Sequence, residues 1–256
     1  MNMPIDRVDT QIPQAERTAP EATLVLMPGL DGSGSLFATF EKLIAGSWRY
    51  RSIRYPVELP ADIDAYAAHV EREIAGENCV ILLAESFSGP IAIRLASRLG
   101  GRVQALVLCA SFATRPHVLV RWASQIPQSL LAGMARQRWA LRWFCVGRHA
   151  PSALLASVET ELAQLSGRTI KRRLRMLATP DAAVALTGLK IPVLLLQPNQ
   201  DRLLDPWAPK RLERLARGAR IERLDGPHFL LQAEPQACWR KIIDWLTLVS
   251  AQPAQS

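Results

Sequence analysis

The sequence has little of what marks a metal-bound, disulfide-stapled or nucleotide-binding protein. Only four cysteines occur in 256 residues, Cys79, Cys109, Cys145 and Cys238. They lie far apart with no CxxC pair, which predicts free thiols and no structural metal. Cys79 and Cys109 fall in apolar strand-like runs, where a small buried hydrophobe fits. Neither a GxGxxG order nor a GK[ST] ending is found, so the phosphate-cradling loops are excluded. No stretch reaches the roughly 18 apolar residues of a membrane span. Residues 1–22 hold three prolines and scattered charge but no continuous apolar segment. They read as a flexible N-terminal tail rather than a signal peptide, and a cytoplasmic location is the expectation.

Hydrophobic residues make up 49% of the chain and charged residues 21%. That balance suits a globular protein and argues against a long disordered one. The formal net charge of +8 is unevenly placed. Between Arg115 and Arg175 there are eleven Arg or Lys and two acids, Glu159 and Glu161, so this segment carries +9 and the remainder −1.

Short apolar runs recur at Leu24–Met27, Tyr50–Tyr55, Cys79–Leu83, Val103–Cys109, Pro192–Leu196 and Arg220–Leu224. Helix-length segments separate them: Ile63–Ile74, Pro90–Leu99 and Pro235–Val249 repeat their apolar residues at helical spacing. Strands of low internal polarity alternating with helices predict a mainly parallel open sheet covered by helices, an α/β fold. From 112 to 185 the alternation stops. This stretch reads as a basic helical insert, with helices at Val118–Trp122, Leu130–Phe144, Ser152–Leu165 and Thr169–Leu177, returning through Leu186–Lys190. The expected division is a core of residues 23–111 and 186–250, the insert, and a C-terminal tail at 251–256.

The run Ala84-Glu85-Ser86-Phe87-Ser88-Gly89 lies where an apolar strand gives way to a helix. A tight strand-to-helix turn at the carboxyl end of a sheet presents its serine to a ligand and tolerates only small residues at positions minus two and plus two. Ala84 and Ser88 meet that demand, and Gly89 follows. Ser86 could otherwise serve only to cap the next helix. A serine nucleophile needs a base. Of four histidines, His69 falls in a surface-helix pattern and His117 and His149 in the insert, whereas His228 stands in a Gly-Pro turn just after the last strand. The imidazole in turn needs an acceptor to fix its tautomer. Asp201, after the strand ending at Leu196, is the better placed. Asp205 is its rival and otherwise a cap, and Asp225 is a turn residue. The loop Met27-Pro28-Gly29-Leu30-Asp31-Gly32-Ser33-Gly34, glycine-rich at Gly29 and Gly32, can expose its amides. The N–H groups of Leu30 and Phe87 are the natural donors to a developing oxyanion.

With these residues in place, the chain resembles the α/β-hydrolase superfamily from about Thr23 to Val249. The family's GxSxG elbow stands here as Ala84-Glu85-Ser86-Phe87-Ser88, with small residues replacing both glycines. Its His-Gly oxyanion turn stands as Pro28-Gly29, in a run similar to that of some esterases, thioesterases and acyl-transferring members. Asp201-Arg202-Leu203-Leu204 and Gly226-Pro227-His228-Phe229 match its usual settings for acid and base. The family also carries helical lids where 112–185 lies, small carboxylesterases among its lid-bearing members. The resemblance implies a serine hydrolase acting on a small acyl ester or thioester, with no cofactor or metal. The same triad would serve a C–C bond hydrolase. Apolar residues of the insert (Trp122, Ile126, Leu130, Leu131, Met134, Trp139, Leu141, Trp143, Phe144) could line an acyl tunnel. Its cations could draw an acidic carrier protein, or form a solvated face without a partner. A catalytically inert binding module, or a nucleic-acid binder using the basic insert, is the contrasting class. No nucleic-acid motif supports the latter, and none is expected as a partner. Oligomeric state is left open.

Overall fold

The computed structural model describes residues 22–117, 125–135 and 137–251. Six strands form one sheet in the order β2-β1-β3-β4-β5-β6. They are β1 Thr23–Met27, β2 Tyr50–Ser52, β3 Val80–Glu85, β4 Val103–Cys109, β5 Val193–Pro198 and β6 Arg220–Leu224. Every neighbouring pair runs parallel. All the strands therefore deliver their carboxyl ends to one rim, where an open α/β sheet places its site.

The alternation of side chains across a strand explains why these runs carry so few polar residues. On β1, Val25 and Met27 face one side while Leu24 and Leu26 face the other; on β3, Val80, Leu82 and Ala84 oppose Ile81 and Leu83. Both faces are dry. Helices α2 (Ile63–Glu73) and α3 (Gly89–Leu99) cover the first, through Tyr66, Val70, Ile91 and Leu95. Helix α1 (Ala38–Ile44) and the C-terminal helix Pro235–Ser250 cover the second, through Phe40, Ile44, Ile242, Trp245 and Leu246. Full burial of such a side chain contributes about 1.5–3 kcal/mol, so the two layers hold the sheet from both sides.

The second strand is shorter than its apolar run predicts. Pairing with β1 stops at Ser52, beyond which Ile53 N–H still donates to Leu26 C=O (2.9 Å) and Tyr55 N–H turns to Gly32 C=O (2.8 Å). The chain leaves the sheet to bind the loop after β1. His69, read as a surface residue, is buried on α2, with Nε2 2.8 Å from Arg54 C=O.

Within the insert the described elements are helical: Gln128–Ala135, Arg138–Ala140, a π-helical turn at Leu141–Val146, Ser152–Ala163, Gly167–Ala178 and Ala183–Gly188. The expected helix Leu130–Phe144 is thus interrupted at Gln137, whose backbone is extended, and rewound. The expected helix Val118–Trp122 lies outside the described residues, apart from its flanks, as do residues 1–21 and 252–256 of the two tails. Gly167 lets the helix it begins meet the segment at 128, since a Cβ there would stand 2.0 Å from Gln128 C=O. Leu141, Val146, Leu155, Val158 and Leu162 make a small core of their own, joined by Leu36 from the loop after β1. Of the side chains expected to line an acyl tunnel, Leu130, Trp139, Trp143 and Phe144 are instead exposed. Trp143 lies beneath two guanidinium groups, those of Arg202 (4.1 Å) and Arg148 (5.3 Å).

Candidate active site

Ser86 directly follows β3 and begins a single 3-10 turn that runs straight into α3. Its φ is +47°, a left-handed conformation that costs a non-glycine residue about 1–3 kcal/mol and persists only where the surroundings enforce it. Three contacts do so. Ser111 Oγ donates to Ser86 C=O at 2.7 Å. Gly89 allows that approach, because a Cβ at 89 would sit 1.8 Å from the same Ser111 oxygen. Ser88 Oγ donates to Pro28 C=O and lies 2.7 Å from the Tyr55 hydroxyl. Ser88 is therefore more than a small residue, since it fastens the elbow to the loop after β1. Ala84 is fully buried at the strand's end.

Asp201 and His228 reach the same rim because the β5–β6 pairing continues past the strands. Asn199 N–H donates to Leu224 C=O (2.8 Å) and Gln200 N–H to Gly226 C=O (3.0 Å), which sets the two turns side by side. The Nδ1 of His228 is 2.7 Å from Asp201 Oδ2, and its Nε2 is 2.8 Å from Ser86 Oγ. Asp201 Oδ1 accepts from the N–H groups of Leu203 (2.9 Å) and Leu204 (3.0 Å). Asp205 stays apart: its Oδ1 accepts from Trp207 N–H at 2.8 Å, a local turn ahead of the next helix. Asp225 accepts from Asn199 Nδ2 at 2.8 Å in the turn that it was expected to occupy.

Burial opposes ionisation of Asp201, but the charge and hydrogen bond of His228 and the two backbone N–H groups outweigh it and hold the carboxyl below its ordinary range. Burial likewise works against a charged His228, and here the Asp201 carboxylate and, more weakly, Glu85 prevail, raising the imidazole above its ordinary value. Each member stabilises the charged form of the other.

The register Met27↔Ala84 between β1 and β3 brings Pro28-Gly29-Leu30 alongside Glu85-Ser86-Phe87. Gly29 C=O accepts from Gly32 N–H at 3.1 Å. In a trans peptide the C=O and N–H point oppositely, so the Leu30 N–H is turned away from that bond. Among the described residues it has no hydrogen-bond partner. Gly32 has φ +64°, and a Cβ on it would collide with the Arg173 guanidinium at 2.5 Å. Phe87, which carries the other candidate donor, is buried against Tyr55 and Tyr66.

Several neighbours were not legible as site residues. Glu85 is buried beside Ser86, where burial lifts its carboxyl to about 7 despite a 3.0 Å hydrogen bond from Gln232 Nε2. Phe229 N–H donates to Cys145 C=O (3.0 Å), tying the insert to the residue after His228. Arg173, counted among the cations available to attract an anion, is 1% exposed. Among the described residues no group of three or more His, Cys, Asp or Glu is placed to hold a metal, and no helix is long and apolar enough to cross a membrane.

A family model described as the alpha/beta hydrolase family matches residues 17–240. No functionally curated sequence matches the chain. Among solved structures, the hydrolase olei00960 from Oleispira antarctica aligns with a TM-score of 0.77 at 13% identity, covering 91% of this chain and 92% of that one. The esterase RhEst1 from Rhodococcus sp. ECU1013 aligns at 0.76 and 18%, covering 91% of each. The enol-lactonase from Burkholderia xenovorans LB400 aligns at 0.75 and 19%, covering 91% of this chain and 94% of that one. At these identities the likeness is one of fold.

Proposed function

The chain belongs to the alpha/beta hydrolase family, and on that premise we propose that it is a serine hydrolase cleaving a carboxylic ester or thioester through a Ser86–Asp201–His228 triad and an acyl-enzyme. One observation carries the reading: Ser86 Oγ, both ring nitrogens of His228 and Asp201 Oδ2 form a continuous chain of 2.8 and 2.7 Å contacts.

His228 Nε2 takes the Ser86 proton as Oγ attacks the acyl carbon, and Asp201 stabilises the imidazolium so formed. Charge develops on the acyl oxygen, to which the N–H groups of Leu30 and Phe87 donate. Collapse breaks the bond to the alcohol or thiol, which leaves with the proton from His228. Water then attacks the acyl-enzyme, with the same imidazole removing its proton, and the carboxylic acid departs as Ser86 is restored. Each step uses the chain's own groups and no cofactor.

The insert, which contacts both the loop after β1 and the turn bearing His228, serves as a lid over this rim. The +9 charge between Arg115 and Arg175 favours a negatively charged leaving group or an acidic carrier protein as the source of the acyl chain. Turnover compared on carrier-bound and free acyl thioesters across ionic strength tests this; equal rates without salt dependence would remove the carrier.

Active-site labelling tests the main reading. A fluorophosphonate should modify the parent protein at Ser86 and leave Ser86→Ala unlabelled. An unreactive, folded parent would instead mark a binding module.

A further inference from the structure

The helix Gly167–Ala178 belongs to the insert, yet one of its side chains is built into the loop after β1. Arg173 Nη1 donates to Leu30 C=O at 2.6 Å and to Asp31 C=O at 2.7 Å. Its Nη2 reaches Tyr55 C=O at 3.3 Å and its Nε the Tyr66 hydroxyl at 3.4 Å. The guanidinium carbon stands 6.0 Å from the centre of the Phe87 ring. Despite its burial, this cation has no carboxylate within ion-pair distance among the described residues.

A buried charge satisfied only by neutral carbonyls and a hydroxyl is costly to place. Two of the carbonyls it binds, those of Leu30 and Asp31, lie in the loop that carries one oxyanion donor, and the third belongs to Tyr55, whose ring packs on Phe87, the residue that carries the other. Leu30 is constrained from both sides, its preceding peptide by the Gly29 C=O to Gly32 N–H bond and its own C=O by Arg173. Phe87 is capped by the same guanidinium. Gly32 has surrendered its side chain to let the group in.

We propose that Arg173 is a positioning residue for the oxyanion hole: from the insert, it fixes the loop bearing Leu30 against Tyr55 and the Phe87 ring, and so holds the Leu30 and Phe87 N–H groups in place for the acyl oxygen as it becomes negative. The inference rests on the hydrolytic reading of Ser86 and deepens it. It makes the insert part of the catalytic frame, so that displacing the helix Gly167–Ala178 dismantles the hole while leaving the Ser86–His228–Asp201 contacts in place.

The test compares Arg173→Gln and Arg173→Lys with the parent and Ser86→Ala on a short p-nitrophenyl ester. Inhibition by a trifluoromethyl ketone, whose adduct with serine bears an oxyanion, is measured in parallel. Losing a donor of such a hole costs about 10²–10³ in kcat, so Arg173→Gln should lose about 10²-fold in kcat with KM within about twofold. Its affinity for the ketone should fall in step with kcat/KM. Arg173→Lys, which keeps the charge and can still reach one carbonyl, should recover part of both. Equal kcat in folded Arg173→Gln, a loss confined to KM, or unchanged ketone affinity would each overturn the proposal. If Arg173→Gln does not fold, Arg173→Lys decides, and a kcat equal to the parent's overturns it. A parent without Ser86-dependent turnover removes the hydrolytic reading and this inference together. Normal parent turnover, lost in Ser86→Ala but kept in Arg173→Gln, removes this inference alone.

Discussion

Gln232 holds Glu85 beneath the elbow: its Nε2 donates to Glu85 Oε2 at 3.0 Å, in a buried contact one residue from Ser86. Among the described residues, the second Glu85 oxygen, Oε1, is buried with no hydrogen-bond partner, as are Asp31 Oδ1 and Gln232 Oε1. Burial is the main cause that lifts the Glu85 carboxyl from 4.5 to about 7, with the nearby Asp31 adding to it and the Gln232 hydrogen bond and His228 opposing it.

A carboxyl whose folded pKa exceeds its unfolded one takes up a proton on folding, so its contribution is favourable at low pH and is lost as pH rises from 4.5 to about 7. At pH 8 the ionised, buried Glu85 should cost about 3 kcal/mol relative to pH 4.5. Glu85→Gln should flatten that dependence. Denaturant unfolding at pH 5 and pH 8 measures it; an identical pH slope in parent and variant would contradict the assignment.

The two aspartates after β5 should separate cleanly. Asp201→Ala removes the acceptor of His228 Nδ1 and is expected to lower kcat by about 10⁴-fold, as when an imidazole loses its orienting carboxylate. Asp205→Ala removes a turn contact to Trp207 N–H and should cost about 1 kcal/mol of stability with kcat intact. Steady-state kinetics and thermal unfolding of both variants decide between them.

Raised above the ordinary imidazole value of 6.5 by Asp201 against the pull of burial, His228 is a base only in its neutral form. Activity should therefore be present above the His228 pKa and vanish as pH falls through it, with the acid limb of kcat/KM lying above pH 6.5. In Ser86→Ala, imidazole NMR should find the same raised titration, moved downward by adding Asp201→Asn. A limb below 6.5 would show that burial wins.

Replacing Ser88 by glycine restores one of the two usual elbow glycines yet should weaken this protein. The substitution strands the buried Tyr55 hydroxyl and frees Pro28 C=O, at about 1–3 kcal/mol for an unsatisfied buried group. Denaturant unfolding should register the loss, and Ser88→Thr should retain more stability than Ser88→Gly if its methyl group is accommodated.

Strand positions were legible where burial on both faces leaves nearly pure apolar runs, as at Val103–Cys109, predicted to the residue; the edge strand Arg220–Leu224 was also predicted to the residue, although three of its five residues are charged and none is fully buried. The run Tyr50–Tyr55 misled because Ile53 and Tyr55 are apolar for a different reason: past the end of β2 they join the core on the side of α2 and α3, Tyr55 against Tyr66 and Phe87. Ser86, Asp201 and His228 were placed by their order after strands, which a parallel sheet converts into nearness. Arg173, Glu85 and Gln232 gave no such signal. Arg173 looks in sequence like any other cation of a basic helix, and the meeting of Glu85 with Gln232 spans 147 positions. Their roles arise only from how the insert and the last turn fold back.

Ser86 and His228, in contact at the rim, are 142 positions apart in the chain, and the β4–β5 seam, from Leu106↔Val193 to Cys109↔Leu196, joins the halves that carry them. A polypeptide emerging from the ribosome thus presents Ser86 long before the segment bearing His228 has been made. Under the proposed mechanism, chemical competence arrives only when that seam zips shut.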